Sequence, residues 1–192
     1  MNRSILSSSR DRATSGGNIL NVLGLLAVCA ALGIAFYYQL ARNELPCPLC
    51  LLQRAGLILT GIGLMMNVRF GVRSAHYGVA LAGALATGVI ALRQVLLHIA
   101  PGDAGYGSTV MGLHFYTLAA LASLAALAGI AALLMLKSWE VPARFPAWKS
   151  AGGKLACLLF LLLVTGNLAS TVLECGAGAC ADNPTYYLLL GK

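Results

Sequence analysis

Arg42-Asn43-Glu44-Leu45-Pro46-Cys47-Pro48-Leu49-Cys50 breaks an otherwise continuous apolar sequence. Residues 18–40 before it carry no charged side chain, and residues 51–68 after it carry one, Arg54. A run of roughly 18 or more apolar residues is long enough to cross the hydrocarbon core of a bilayer as a helix. The break is therefore a short loop at a membrane surface, and its two cysteines stand where the second span begins.

Three more runs of that length follow, at residues 77–100, 113–136 and 154–173. All five are rich in Leu, Ala, Gly and Val and lack the alternation of a transmembrane strand, so they predict helices. The chain of 192 residues is 59% hydrophobic and 10% charged, with a mean hydropathy of +0.81. Soluble domains carry about 25% charged residues, and the membrane class follows. No nucleotide-binding glycine loop, internal repeat or soluble domain is present. The first span follows Arg3, Arg10 and Arg12, but at 23 residues it exceeds the 7–15 of a signal-peptide core. Leu26-Ala27-Val28-Cys29 also fits a lipoprotein cleavage site poorly, so this run reads as a retained anchor.

Lys and Arg set the orientation. With five spans, nine of the thirteen fall on one face: Arg3, Arg10, Arg12, Arg69, Arg73, Lys137, Arg144, Lys149 and Lys154. Arg42, Arg54, Arg93 and Lys192 fall on the other. The nine-residue face is predicted to be cytoplasmic. The net charge of +7 is then a topology signal. A nucleic-acid footprint would need a basic patch with interleaved aromatics, so no nucleic-acid partner is expected; the partner implied by the spans is membrane lipid. Cys47, Cys50, Cys175 and Cys180 all reach the outer face, which in a bacterium is the oxidising periplasm.

A helix N-terminus stabilises a thiolate through its unpaired N–H groups and its dipole. Cys47 and Cys50 cap the second span, with Pro48 at a first-turn position where its missing N–H costs little. Arg54 lies one turn beyond Cys50 on the same face, about 6 Å deeper. An arginine there suits a quinone-like oxygen or a neighbouring thiolate; the plain alternative is a snorkelling anchor. A disulfide spanning two residues constrains little, which argues for a redox rather than a bracing role. In the third span Arg93 and Gln94 interrupt an apolar helix, and at least one of them should face inward. His98 and His114 are expected at the interface. Glu174-Cys175-Gly176-Ala177-Gly178-Ala179-Cys180 places small residues between two cysteines, so the pair can close on itself or swing to another sulfur by thiol–disulfide exchange. Cys29 and Cys157, inside spans, read as packing residues.

With the motif, its helix and its arginine in view, the chain resembles the DsbB family of membrane disulfide-bond formation proteins. The likeness rests on Cys47-Pro48-Leu49-Cys50-Leu51-Leu52-Gln53-Arg54-Ala55 and on Arg93-Gln94-Val95-Leu96-Leu97 leading to Pro101, and it covers residues 18–136. It implies that a quinone (ubiquinone or menaquinone) re-oxidises Cys47 and Cys50, with Cys50 nearest the quinone and Arg54 close by. Arg93 and Gln94 are weaker candidates for the same site. It also implies a second cysteine pair that exchanges with a periplasmic thioredoxin-fold, DsbA-like dithiol oxidase. The family carries that pair between spans three and four. Here Pro101-Gly102-Asp103-Ala104-Gly105-Tyr106-Gly107-Ser108-Thr109 has no cysteine, and Cys175 and Cys180 in the tail are expected to replace it.

The expectation is an all-α integral membrane protein: a four-helix transmembrane bundle over residues 18–136 plus a fifth transmembrane helix at 154–173. A cytoplasmic segment at 1–17, a cytoplasmic loop at 137–153 and a periplasmic tail at 174–192 complete it, in the bacterial inner membrane. The expected activity is quinone-coupled thiol–disulfide oxidoreduction by Cys47, Cys50, Cys175 and Cys180. The alternatives are a reductant running the same chemistry in reverse, a membrane metal-binding protein using the four thiolates, and a structural protein whose disulfides brace loops.

Overall fold

The computed structural model describes residues 3–135 and 147–191, with side chains from residue 17 onward. The side chains of Arg3, Arg10, Arg12, Lys137, Arg144 and Lys192, which enter the charge count, lie outside that set, as does most of the 137–153 loop. Among the described residues there are five α-helices: α1 (Arg3–Ala41), α2 (Pro48–Phe70), α3 (Ser74–Leu97), α4 (Phe115–Met135) and α5 (Ala151–Cys175). Each contains a stretch long and apolar enough to cross a membrane, beginning at Gly17 in α1. The protein is an all-α, multi-pass membrane protein, a four-helix bundle with a fifth helix added.

Local chemistry sets the helix ends. The Cys47 side chain accepts a hydrogen bond from the Cys50 N–H at 3.1 Å, and Pro48 occupies the first turn of α2. The Ser150 hydroxyl oxygen does the same for Gly153 N–H at the start of α5, at 3.0 Å. Two ends differ from the sequence reading. The third helix stops at Leu97, not at residue 100, because the Ala100–Pro101 bond disfavours helical backbone before it. The fourth starts at Phe115, not at Leu113. Leu113–His114 pairs with Thr109–Val110 as a two-stranded hairpin (β2 and β1), turned by Met111 and Gly112 at φ 52° and 79°. The N-terminal segment, expected as a separate piece, continues α1 as helix from Arg3.

Packing places α2 at the centre, against α1, α3 and α5, while α4 packs on α3 and α5 on α1. Lipid supplies no hydrophobic drive between helices, so close backbone approach through small residues does the joining. A Cβ on Gly56 would lie 2.8 Å from Thr87 N, and one on Gly83 would lie 2.7 Å from Gly56 O. α2 and α3 thus touch backbone to backbone. Phe160 of α5 is wholly buried and lies over Gly61 of α2, where a Cβ would clash with its ring. Asn21, Asn67 and Tyr77 tie three helices at one end, through Asn21 Nδ2 to Tyr77 Oη (2.7 Å) and Asn67 Nδ2 to Asn21 Oδ1 (2.9 Å). At the opposite end the α1–α2 loop, the α3–α4 loop and the tail converge, with Tyr106 Oη donating to Leu45 O (2.9 Å) and Gln39 Nε2 to Tyr187 Oη (3.0 Å). α1 and α4 stand apart along most of their length and meet through the rings of Tyr38 and Phe115, whose centroids are 4.6 Å apart; the space between them is the cavity described next.

Candidate functional site

Cys47 and Cys50 form a disulfide, with Cα atoms 5.0 Å apart. The Cys47 sulfur is buried; Cys50 is half-buried. Gln94 reaches them from α3, its Nε2 lying 3.4 Å from the Cys47 sulfur and 3.8 Å from that of Cys50. Its Oε1 accepts from Gln53 Nε2 at 2.7 Å, which fixes the amide's orientation. Of the adjacent polar pair in α3, Gln94 therefore turns inward, 2% exposed. Arg93 turns outward, exposed, and does not line the cavity.

Cys50 and Arg54 share the wall of a cavity of about 270 Å³. Ala31, Ile34 and Ala35 of α1 face Leu118, Ala119 and Ala122 of α4 across it, and Leu57 of α2 adds to its lining. Small-molecule pockets run to about 300–1,000 Å³ and are mostly apolar with a few placed polar groups; this one falls just under that size and shares the lining. Arg54 is buried, which explains its dense set of partners. Nη1 donates to Gln39 Oε1 (2.6 Å) and reaches Asn167 Oδ1 (3.5 Å), Nη2 donates to Ala35 O (3.2 Å), and the guanidinium carbon lies 5.7 Å from the Phe36 ring centroid. These partners are all neutral. The snorkelling alternative fails for Arg54, since a snorkelling head would be wet.

The α3–α4 loop roofs the cavity. Glu44 accepts from Ser108 N (3.1 Å) and from the Ser108 hydroxyl, and Tyr106 holds Leu45 O. Burial first, then the carboxylates of Glu174 and Glu44, push the Tyr106 phenol above its ordinary pKa, so it stays a donor. At the rim, Asp103 accepts from Gly105 N (2.7 Å) and meets His98 Nδ1 (3.1 Å); the backbone bond first and then His98 hold its carboxyl below the usual range. His114 and Tyr116 stack, with ring centroids 5.0 Å apart.

Cys175 and Cys180 form the second disulfide, with Cα atoms 4.6 Å apart. Cys175 is buried at the C-terminus of α5, and Cys180 is half-exposed in the tail. Each pair is closed on itself. The tail folds back over α5, with Leu189 N donating to Leu173 O (3.0 Å). Cys29 and Cys157 are free and buried, as packing residues would be. Among the described residues, no group of three His, Cys, Asp or Glu side chains is placed to hold a metal.

The sequence reading passed over Gln39, Gln53, Asn167 and Glu44. Three of these are amides inside apolar spans, and that isolation was the signal. Glu174 was noted only as a neighbour of Cys175; in the fold it is buried.

A disulfide closed at the start of a transmembrane helix, facing an apolar cavity, defines a class: multi-pass membrane proteins with a disulfide centre at one surface. Within it, the chain belongs to the DsbB family, since the family model described as disulfide bond formation protein DsbB matches residues 17–165. That match ends before Glu174, Cys175 and Cys180. Among curated relatives, a disulfide bond formation protein B from Aromatoleum aromaticum is 44% identical over 87 residues, covering 42% of this chain and 52% of that protein. Proteins of the same name from Chromobacterium violaceum and Burkholderia thailandensis are 34% and 33% identical over 96 and 106 residues, covering 58% and 59% of their own lengths. The chain thus spans about half the length of the curated relatives it matches. No solved structure matches it.

Proposed function

We propose that this protein oxidises the dithiol of a soluble thioredoxin-fold partner and passes the electrons to a membrane quinone. The observation that carries this is the Cys50 sulfur and the buried Arg54 guanidinium in the wall of one apolar cavity between α1 and α4. The cavity fits a quinone: its walls are apolar, its cation is desolvated, and it lies between the apolar faces of α1 and α4. When bound there, a quinone, ubiquinone or menaquinone, would supply a two-electron, two-proton acceptor.

The chain's own residues do the rest. Arg54 would hold an acceptor oxygen by charge-assisted hydrogen bonds. The N-terminus of α2 and the Gln94 amide stabilise negative charge on the Cys47–Cys50 pair. The roof built from Tyr106, Ser108 and Glu44 keeps water from the sulfurs. Cys175 and Cys180 are proposed as the pair that meets the soluble partner, with half-exposed Cys180 the sulfur open to attack. An incoming thiolate attacks one sulfur of the disulfide, the second thiol of the partner resolves the mixed disulfide, and the released dithiol reduces Cys47–Cys50. The arrangement belongs in the bacterial inner membrane, with the N-terminus and the 137–153 loop cytoplasmic and both cysteine pairs periplasmic. The unit at 18–136 is the redox core, and α5 with its tail delivers the second pair. Arg93 has no part in this reading, because it faces away from the cavity.

The test is quinone reduction by purified protein supplied with a reduced thioredoxin-fold dithiol, beside the Cys175→Ser/Cys180→Ser variant. Turnover that needs both pairs supports the relay. Turnover that survives in the variant leaves the tail disulfide a clip. Absence of quinone reduction with any dithiol rejects the function.

A further inference from the structure

Glu174 is 5% exposed, and neither of its carboxylate oxygens has a hydrogen-bond partner among the described residues. An unpaired buried carboxylate costs several kcal/mol, so such a group is rare without a role. Its position sharpens the cost, because it sits one residue from the C-terminus of α5, where the helix dipole repels negative charge.

Asn167, Ser170 and Glu174 follow one another at helical spacing along one face of α5. Ser170 receives Gln39 Nε2 at 2.6 Å, Asn167 meets Arg54, and Gln39 Oε1 accepts from Arg54. This face therefore points at Arg54. The two groups interact electrostatically but form no ion pair. The charged group facing Glu174 is Arg54 from α2, and the phenol facing it is Tyr106 of the α3–α4 loop, with Glu44 beyond; Arg54 in turn faces Tyr187 of the tail and the neutral Gln39 of α1. A cation with only neutral hydrogen-bond partners and a carboxyl group with none share one water-poor region.

We propose that Glu174 stores the proton displaced when a thiolate forms on the Cys47–Cys50 pair beside Arg54. The inference rests on the proposed function only in taking that pair as redox-active. Reduction by a dithiol forms a disulfide in the donor, breaks the Cys47–Cys50 bond and delivers two electrons and two protons. One proton stays on one sulfur of the pair. The other sulfur remains a thiolate, held by the α2 N-terminus and Arg54. With that charge in place Arg54 no longer balances Glu174, and the second proton goes to the carboxylate. Both protons then remain beside the cavity for the electron acceptor. Glu174 does not line the cavity, and it is coupled to the pair through the charge of Arg54 rather than by contact with the sulfurs.

The experiment is infrared difference spectroscopy of the quinone-free protein on reduction with a small dithiol, with thiolate absorbance followed in parallel. One protonated-carboxyl band per reduced pair is expected in the wild type. It should vanish in Glu174→Gln and move in frequency in Glu174→Asp, which serves if the glutamine variant does not fold. Thiolate formation without a carboxyl band, or a band unchanged in these variants, overturns the inference and leaves the proposed function standing. A reduced pair that holds no thiolate overturns the inference alone, and a pair that is not reduced overturns both.

Discussion

Arg54 shows how a single residue acquires meaning from its surroundings. Its charge is desolvated, and it is held by Gln39, Asn167 and the Ala35 carbonyl rather than by a carboxylate, so its charge remains available to a ligand in the cavity. A hydrogen bond to a charged group contributes about 1.5–3 kcal/mol, which is about 10- to 100-fold in affinity. Arg54→Gln is expected to weaken equilibrium binding of a short-chain quinone by that factor while the Cys47–Cys50 pair remains reducible. Unchanged affinity would remove Arg54 from the site. Cys47, Cys50 and Arg54 were legible in the sequence because one helical turn relates them. Gln39, Asn167 and Glu174 were not, because their roles depend on α5 packing against α1 and α2, and no local pattern encodes which faces of two distant spans meet.

At the scale of elements, the two cysteine pairs sit at opposite ends of helix dipoles. Cys47 and Cys50 open α2, and Cys175 closes α5. A thiolate is stabilised at the first position and disfavoured at the second, by about 0.3–1 kcal/mol each. Stabilising the reduced form raises a pair's potential, and about 30 mV corresponds to 1.4 kcal/mol for two electrons. Cys47–Cys50 is therefore expected to be the more oxidising pair by about 10–40 mV, so that electrons pass from the tail toward α2. Equilibration of single-pair variants with graded redox buffers, read by alkylation and mass, measures the order; the reverse order would contradict a relay in this direction. The five spans were legible from length and composition alone. The hairpin was not, since Met111-Gly112-Leu113 is apolar enough to read as the start of a span, and only pairing with Thr109–Val110 removes Leu113 and His114 from α4.

For the whole molecule, a cavity separates α1 from α4 below the Tyr38–Phe115 ring contact, and the α3–α4 loop covers its outer end. Its hold is concentrated at two points, Glu44 receiving Ser108 and Tyr106 reaching Leu45 O. Positive φ at Gly105 and Gly107 lets the backbone turn tightly enough to bring Tyr106 back to Leu45 and Ser108 back to Glu44. Elsewhere the loop is a short hairpin ending in the exposed Met111. Removing the Glu44 carboxylate deletes two hydrogen bonds to a charged acceptor, each contributing about 1.5–3 kcal/mol, part of which water restores when the loop lifts. Glu44→Ala should therefore raise the open population and speed alkylation of Cys50 in the reduced protein by about tenfold or more, a factor of ten being 1.4 kcal/mol. The reagent should be a membrane-impermeant maleimide, which reaches the cysteine from the water side, and the rate is taken relative to unfolded protein. Tyr106→Phe, which loses a single neutral bond, should have a smaller effect in the same direction. Equal rates in wild type and Glu44→Ala would mean that the roof is held by packing rather than by Glu44, and that the cavity is closed to water by its apolar walls alone.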